Sequence, residues 1–191
     1  RPDQQTAMEA MLPHEFGVMV APTAFGKTVT AAAIIANRQV RTLILVHRTE
    51  LMKQWQERLM SFLACPDQKV GMIGGGKNKP TGLLDVAVIQ SLIRRENLSE
   101  LLGQYSQIII DECHYGSHQD GVRYGKIFEY LDQENSNCNL AFISATPFSA
   151  LFAAGSDSIL RHHYQTQLVF HKTNTEYLGI RSMHKNHQIV K

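Results

Sequence analysis

Eight residues, Ala21-Pro22-Thr23-Ala24-Phe25-Gly26-Lys27-Thr28, separate an apolar run, Phe16–Val20, from a helical pattern that starts near Lys27. A loop of small residues turns tightly, so that its backbone N–H groups converge on one point. The helix that follows adds its positive end. This arrangement suits an anion with several oxygens. A lysine at the end of such a loop reaches the β- and γ-phosphates of a nucleotide, and an adjacent hydroxyl is placed to ligate Mg²⁺. Lys27 and Thr28 take those two places, behind Ala24, Phe25 and Gly26. The stretch departs from G-x-x-x-x-G-K-[ST] in having Ala21 where the first glycine is usual.

Asp111-Glu112-Cys113-His114 lies 84 residues beyond Lys27 and follows the apolar run Gln107–Ile110. A Mg²⁺-nucleotide site requires one carboxylate for the metal and its waters, and another to orient and deprotonate the attacking water. Asp111 suits the first role and Glu112 the second. An Asp-Glu pair alone is a common surface turn; a phosphate loop upstream at a domain-sized interval weakens that reading. Ser144-Ala145-Thr146-Pro147 begins 30 residues after His114, again behind an apolar strand.

These residues need a frame. Candidate strands are Phe16–Val20, Thr42–Val46, Lys69–Met72, Asp85–Ile89, Gln107–Ile110 and Leu140–Ile143, and candidate helices are Asp3–Leu12, Lys27–Asn37, Glu50–Leu63, Leu98–Gly103 and Val122–Asp132. Strands alternating with helices predict an α/β fold, a parallel sheet with helices on both faces. In such sheets ligands bind at the carboxyl ends of the strands, where Ala21–Thr28, His47-Arg48, Asp111–His114 and Ser144–Thr146 all fall. Gly74–Pro80 is a loop by composition. Beyond Pro147, Ser149–Leu160 is expected to be helical and Thr166–Phe170 a short strand.

The three motifs together resemble the first RecA-like domain of superfamily 2 helicases and translocases, over roughly residues 1–147. The resemblance implies a RecA-like P-loop NTPase that uses ATP and Mg²⁺. Ala21–Thr28 is then motif I, Asp111–His114 motif II of the D-E-x-H type, and Ser144-Ala145-Thr146 motif III, which links hydrolysis to movement on nucleic acid. Arg1-Pro2-Asp3-Gln4-Gln5 looks like the R-x-x-Q adenine-recognition segment, with Gln4 toward the base edge. An amide suits adenine because it donates and accepts at once. Val46–Leu51, followed by Gln54-Trp55, resembles motif Ia, and Ile89-Gln90-Ser91-Leu92 resembles the T-x-Q-S-L segment of DNA translocases. The family uses both to grip the phosphodiester backbone. Arg48, with Thr49 or its helix N-terminus, can hold a phosphate, and Gln90 and Ser91 offer hydrogen bonds that read no sequence.

On the residues alone, Arg48 and Gln54 read as a solvated helix face, and only the resemblance favours the grip. Trp55 is expected to pack helix to sheet rather than stack on a base. Gly74–Lys79 is either a clamp on nucleic acid or a flexible hairpin tip. Ala24-Phe25 replaces the family's Gly-Ser or Gly-Ala; Ala24 is tolerated if its φ is negative, while Phe25 adds apolar bulk beside the phosphates. Phe148-Ser149-Ala150 stands where several branches carry Arg and an Asp-Gly pair.

The whole composition is that of a soluble globular protein: 191 residues, 43% apolar, formal net charge +2, and no apolar run of the roughly 18–20 residues a bilayer requires. Three scattered cysteines make no disulfide framework, and with no secretion signal the expectation is a reducing cytoplasm. Nine histidines form no four-ligand zinc pattern. Residues 158–191 carry five Lys/Arg against one acid, either for contact with a polyanion or as a solvated connector.

The expected organisation is a RecA-like domain over 1–150, then a basic segment, 151–191, leading toward a second RecA-like domain. By the resemblance, that second domain supplies arginine fingers and couples to His114. The expected function is ATP hydrolysis driving movement on nucleic acid, DNA first and RNA as the alternative. A small-molecule kinase and a non-catalytic nucleotide-gated scaffold are rivals of other classes.

Overall fold

The computed structural model of the chain describes residues 1–64, 69–111, 125–131 and 137–144, and the backbone of 164–172 and 177–185. Its elements run α1 (Pro2–Met11), β1 (Phe16–Val20), α2 (Lys27–Arg38), β2 (Thr42–Val46), α3 (Thr49–Phe62), β3 (Gly71–Gly74), β4 (Lys77–Lys79), β5 (Leu84–Val88), α4 (Ile89–Leu92), α5 (Leu98–Leu102), β6 (Gln107–Asp111), α6 (125–131), β7 (Asn139–Ser144), β8 (Tyr164–Lys172) and β9 (Tyr177–Lys185). The strands form one sheet in the order β4-β3-β5-β2-β6-β7-β1-β9-β8.

Six neighbouring strands, from β3 to β1, run parallel as the alternation of elements predicts. Both edges depart from the all-parallel expectation. At one edge β4 turns back antiparallel on β3, so the expected loop over Gly74–Pro80 is instead a hairpin. At the other, β9 pairs antiparallel with β1 and β8 with β9, extending the expected strand Thr166–Phe170 to Tyr164–Lys172 and adding one unforeseen strand. Ser149–Leu160 lies outside the described residues.

Successive side chains of the parallel strands enter opposite faces of the sheet, which is why the strands read as continuous apolar runs. Leu43, Leu45, Ile108 and Ile110 join one core, with Leu92, Leu101, Ile127 and Phe128 of α4, α5 and α6. Ile44, Val46 and Ile109 join the other, with Ala7, Ile34, Met52 and Leu59 of α1, α2 and α3.

Polar groups lock the ends of this frame. The Arg38 guanidinium, on the last turn of α2, donates to the carbonyls of Met11 (3.2 Å), Leu12 (3.4 Å) and His14 (2.6 Å), and to Oε1 of Gln107 (3.1 Å). It thereby satisfies carbonyls that the end of α1 leaves without helical partners. At the amino end of β5, the fully buried Asp85 carboxylate accepts from the Thr81 N–H (2.8 Å), the Thr81 hydroxyl (2.7 Å), the Gly82 N–H (2.8 Å) and the Tyr105 hydroxyl.

Two acidic groups sit in the core uncharged. Burial pushes the Cys138 thiol up to about 12 from 9.0. Burial, then the Asp85 hydrogen bond, raises the Tyr105 phenol. Both groups ionise more readily in the unfolded chain. Their contribution is complete below about pH 9 and is lost as pH rises, Cys138 first and Tyr105 from about pH 10. Urea midpoints measured from pH 7 to 11 should fall across that window. Cys138→Ala should delay the onset to about pH 10, and an unchanged onset would refute the assignment.

Candidate functional site

Strand order places the chemistry. β1 leads into the loop, β7 lies beside it, and β6 lies beside β7. With strands about 4.8 Å apart, residues ending β7 and β6 come within two strand widths of the loop. Val20 pairs with Ser144, and Ile143 with Asp111. The Ala21 N–H donates to the Ser144 carbonyl at 3.0 Å, fastening the start of the loop to the end of β7.

A cavity of about 340 Å³ opens at these strand ends. Thr23, Ala24, Gly26, Lys27, Thr28 and Asp111 line it, so residues expected to hold phosphate and metal surround one space. The Lys27 ammonium lies over the loop, within 3.3 Å of the Ala21 carbonyl and 3.5 Å of the Pro22 carbonyl. Asp111 is largely buried (8% exposed), and its Oδ2 accepts from the indole Nε1 of Trp55 at 2.6 Å. Thr28 Oγ1 accepts from the Arg58 guanidinium at 2.9 Å.

Mg²⁺ fits this donor set. It takes hard oxygens from one or two protein groups and completes its shell with waters and phosphate oxygens. The Thr28 hydroxyl and Asp111 carboxylate are such groups, on two residues that line the cavity. The Arg58 guanidinium, on the Thr28 hydroxyl, supplies positive charge at the same point.

Within the loop, Gly26 caps α2 with φ +92°, and a Cβ there would also strike the Gln4 amide. Glycine meets both demands. Ala24, however, has φ +68°, not the negative value its tolerance requires. A left-handed alanine costs roughly 1–2 kcal/mol relative to its ordinary conformations. Phe25 is partly buried and packs against the core shared by α1, α2 and α3. Its carbonyl accepts from the Gln4 amide (2.8 Å) and from the Arg1 guanidinium, which also reaches the Ala24 carbonyl (3.2 Å). Arg1 and Gln4 therefore brace the loop. They also line a second cavity of about 540 Å³ with Met8, Val29 and Ala33.

The residues expected to grip nucleic acid gather at the carboxyl ends of β2, β5 and β3, which are neighbours in the sheet. Arg48 caps the amino end of α3, Thr49 begins it, and Gln90 and Ser91 sit in the short helix α4, which the pattern of apolar residues does not reveal. Gly75 (φ +57°) and Gly76 (φ +79°) make the two-residue turn between β3 and β4, for which two positive φ values are required. A Cβ on Gly75 would collide with Thr49, and one on Gly74 would approach Ser91 Oγ to 3.1 Å. The hairpin thus seats on both segments. Glu112, His114 and Thr146 lie outside the described residues.

The resemblance assigned Leu51, Gln54 and Trp55 of α3 to a grip on nucleic acid and did not include Arg58. Leu51, Gln54, Trp55 and Arg58 all line the nucleotide-sized cavity. Their i, i+3, i+4, i+7 spacing is the signal of a single helix face. Trp55 packs as expected, 3% exposed, but its N–H is directed to Asp111.

Among known proteins, the family model for the res subunit of type III restriction enzymes matches residues 1–149. A DNA 3'-5' translocase XPB2 of Sulfurisphaera tokodaii is 35% identical over 112 residues, 59% of this chain and 24% of that protein. A putative ATP-dependent RNA helicase of Acanthamoeba polyphaga mimivirus is 33% identical over 58% of this chain and 21% of its own length. The chain thus spans about a quarter or less of these curated relatives. Among solved structures, the Hef helicase domain of Pyrococcus furiosus superposes with TM-score 0.65 at 21% identity, over 84% of this chain and 34% of that one. The UvsW helicase of bacteriophage T4 does so with TM-score 0.62 at 20% identity, over 83% and 55%. Among the described residues no helix is long and apolar enough to cross a membrane. The chain belongs to the family of the type III restriction enzyme res subunit and has the RecA-like fold of helicase domains.

Proposed function

We propose that this chain is the ATP-binding half of a nucleic-acid-dependent ATPase that hydrolyses ATP to ADP and phosphate and so drives movement on DNA. The observation that carries the reading is the convergence of Lys27, Thr28 and Asp111 on one cavity at the strand ends. Loop N–H groups and Lys27 would bind the phosphates, Arg1 and Gln4 would flank the base, and Thr28 and Asp111 would hold Mg²⁺. The metal would neutralise phosphate charge as it develops. Glu112 would take the proton of the attacking water. His114, Ser144 and Thr146 would couple the reaction to a second RecA-like domain, toward which 151–191 would lead after its strands β8 and β9 complete the edge of this sheet.

Arg48, Thr49, Gln90, Ser91 and the glycine hairpin would form the backbone grip. Relatives named for DNA translocation favour DNA, and the relative named for RNA keeps RNA as the alternative. Arg48→Ala in the full-length protein is expected to raise the DNA concentration giving half-maximal ATPase stimulation, and to reduce the salt slope of binding by about one. An unaltered slope would remove Arg48 from the grip. Stronger stimulation by RNA than by DNA would establish the alternative.

A further inference from the structure

Trp55 and Arg58 lie one turn apart on α3 and reach two different residues of the cavity lining, Trp55 to Asp111 and Arg58 to Thr28. An indole N–H only donates, and a buried one must find an acceptor. Here it takes Oδ2 of Asp111, a contact that restrains the rotation of the carboxylate. The guanidinium likewise only donates, and it occupies the Thr28 hydroxyl. A cation arriving at that hydroxyl repels it. Its planar fork of donors then matches the phosphate oxygens beside it.

We propose that Trp55 and Arg58 are positioning residues of the nucleotide site. In this proposal Trp55 aims the Asp111 carboxylate at the metal, and Arg58 moves from the Thr28 hydroxyl to a phosphate oxygen when Mg²⁺ and nucleotide enter. The inference rests on the ATP-site reading above and adds a coupling route to it. The helix that carries both residues begins at Arg48 and Thr49, against the glycine hairpin. Arg48 and Arg58 are about 15 Å apart along its axis at 1.5 Å per residue. A shift of α3 when Arg58 changes partner would therefore reach the proposed nucleic-acid grip without an intervening loop.

The test is calorimetric titration of the full-length protein with ADP, with and without Mg²⁺, in wild-type, Trp55→Phe, Arg58→Ala and Arg58→Lys forms. Trp55→Phe keeps an aromatic ring in the core and removes the donor, together with part of the indole's volume. It should raise the Mg²⁺ concentration for half-maximal enhancement about tenfold while leaving metal-free ADP affinity unchanged. Arg58→Ala, at an exposed position that the fold does not require, should weaken Mg²⁺·ADP binding about tenfold or more, with Arg58→Lys recovering only part of the loss. A Trp55→Phe protein with wild-type Mg²⁺ dependence, or one losing affinity equally with and without metal, would overturn the role of Trp55. Unchanged affinity in Arg58→Ala would overturn that of Arg58. A wild-type protein that binds no ADP would instead overturn the ATP-site reading itself.

Discussion

Lys27→Ala in the full-length protein is expected to lower ATP turnover by at least about 10²-fold, the usual loss when one fixed donor to developing charge is removed. The size follows from where the ammonium lies. It rests on the Ala21 and Pro22 carbonyls at 3.3 and 3.5 Å, at the margin of hydrogen bonding. Those weak contacts are readily exchanged for phosphate oxygens, and no other loop residue carries a positive charge. Glu112→Gln should give an equally large loss of turnover by a different route. The amide keeps the shape of the carboxylate and cannot take a proton, so ATP binding should persist while hydrolysis stops. Binding and steady-state turnover measured side by side separate the two. Wild-type turnover by Glu112→Gln would remove the base role, and wild-type turnover by Lys27→Ala would remove the phosphate role.

The second large effect is on stability. Asp85→Ala should destabilise the fold by about 3 kcal/mol, because it strands a buried hydroxyl and the N–H groups that the carboxylate now accepts. Tyr105 is 1% exposed and so poorly reached by solvent, whereas Thr81 and Gly82 lie near the surface. Asp85→Asn keeps one oxygen and should recover part of the loss. Asp85 stands at the amino ends of the strands, opposite the cavity. Urea unfolding should therefore show the shift while the folded protein keeps its ADP affinity. Loss of affinity at full folding would contradict a purely structural role.

The central strands were legible because each is buried on both faces, so Leu43–Val46 and Ile108–Ile110 have no polar interruption to blur them. Helices α1, α2 and α3 were legible to within about a residue at each end for the complementary reason, an apolar stripe on one side only. The sheet edges were not. Lys77-Asn78-Lys79 is exposed and polar, and it becomes a strand only because Gly75-Gly76 turns it back onto β3. Asp85 reads as an ordinary strand residue until Thr81 and Tyr105 are brought to it by the fold. In the site, the loop and Asp111 were plain because their chemistry is local in sequence. The part α3 takes in the cavity was hidden because Arg58 meets Thr28 across 30 residues and Trp55 meets Asp111 across 56. The sign of φ at Ala24 was hidden too, since alanine does not ordinarily mark a left-handed position.

Steady-state ATP hydrolysis by the full-length protein, alone and with duplex DNA, RNA or small hydroxyl acceptors, tests the central claim most directly. The account predicts turnover stimulated by DNA to roughly 1–100 s⁻¹ and abolished in Lys27→Ala. Stimulation by a hydroxyl acceptor and by no nucleic acid would contradict it, leaving a phosphotransferase on the same loop.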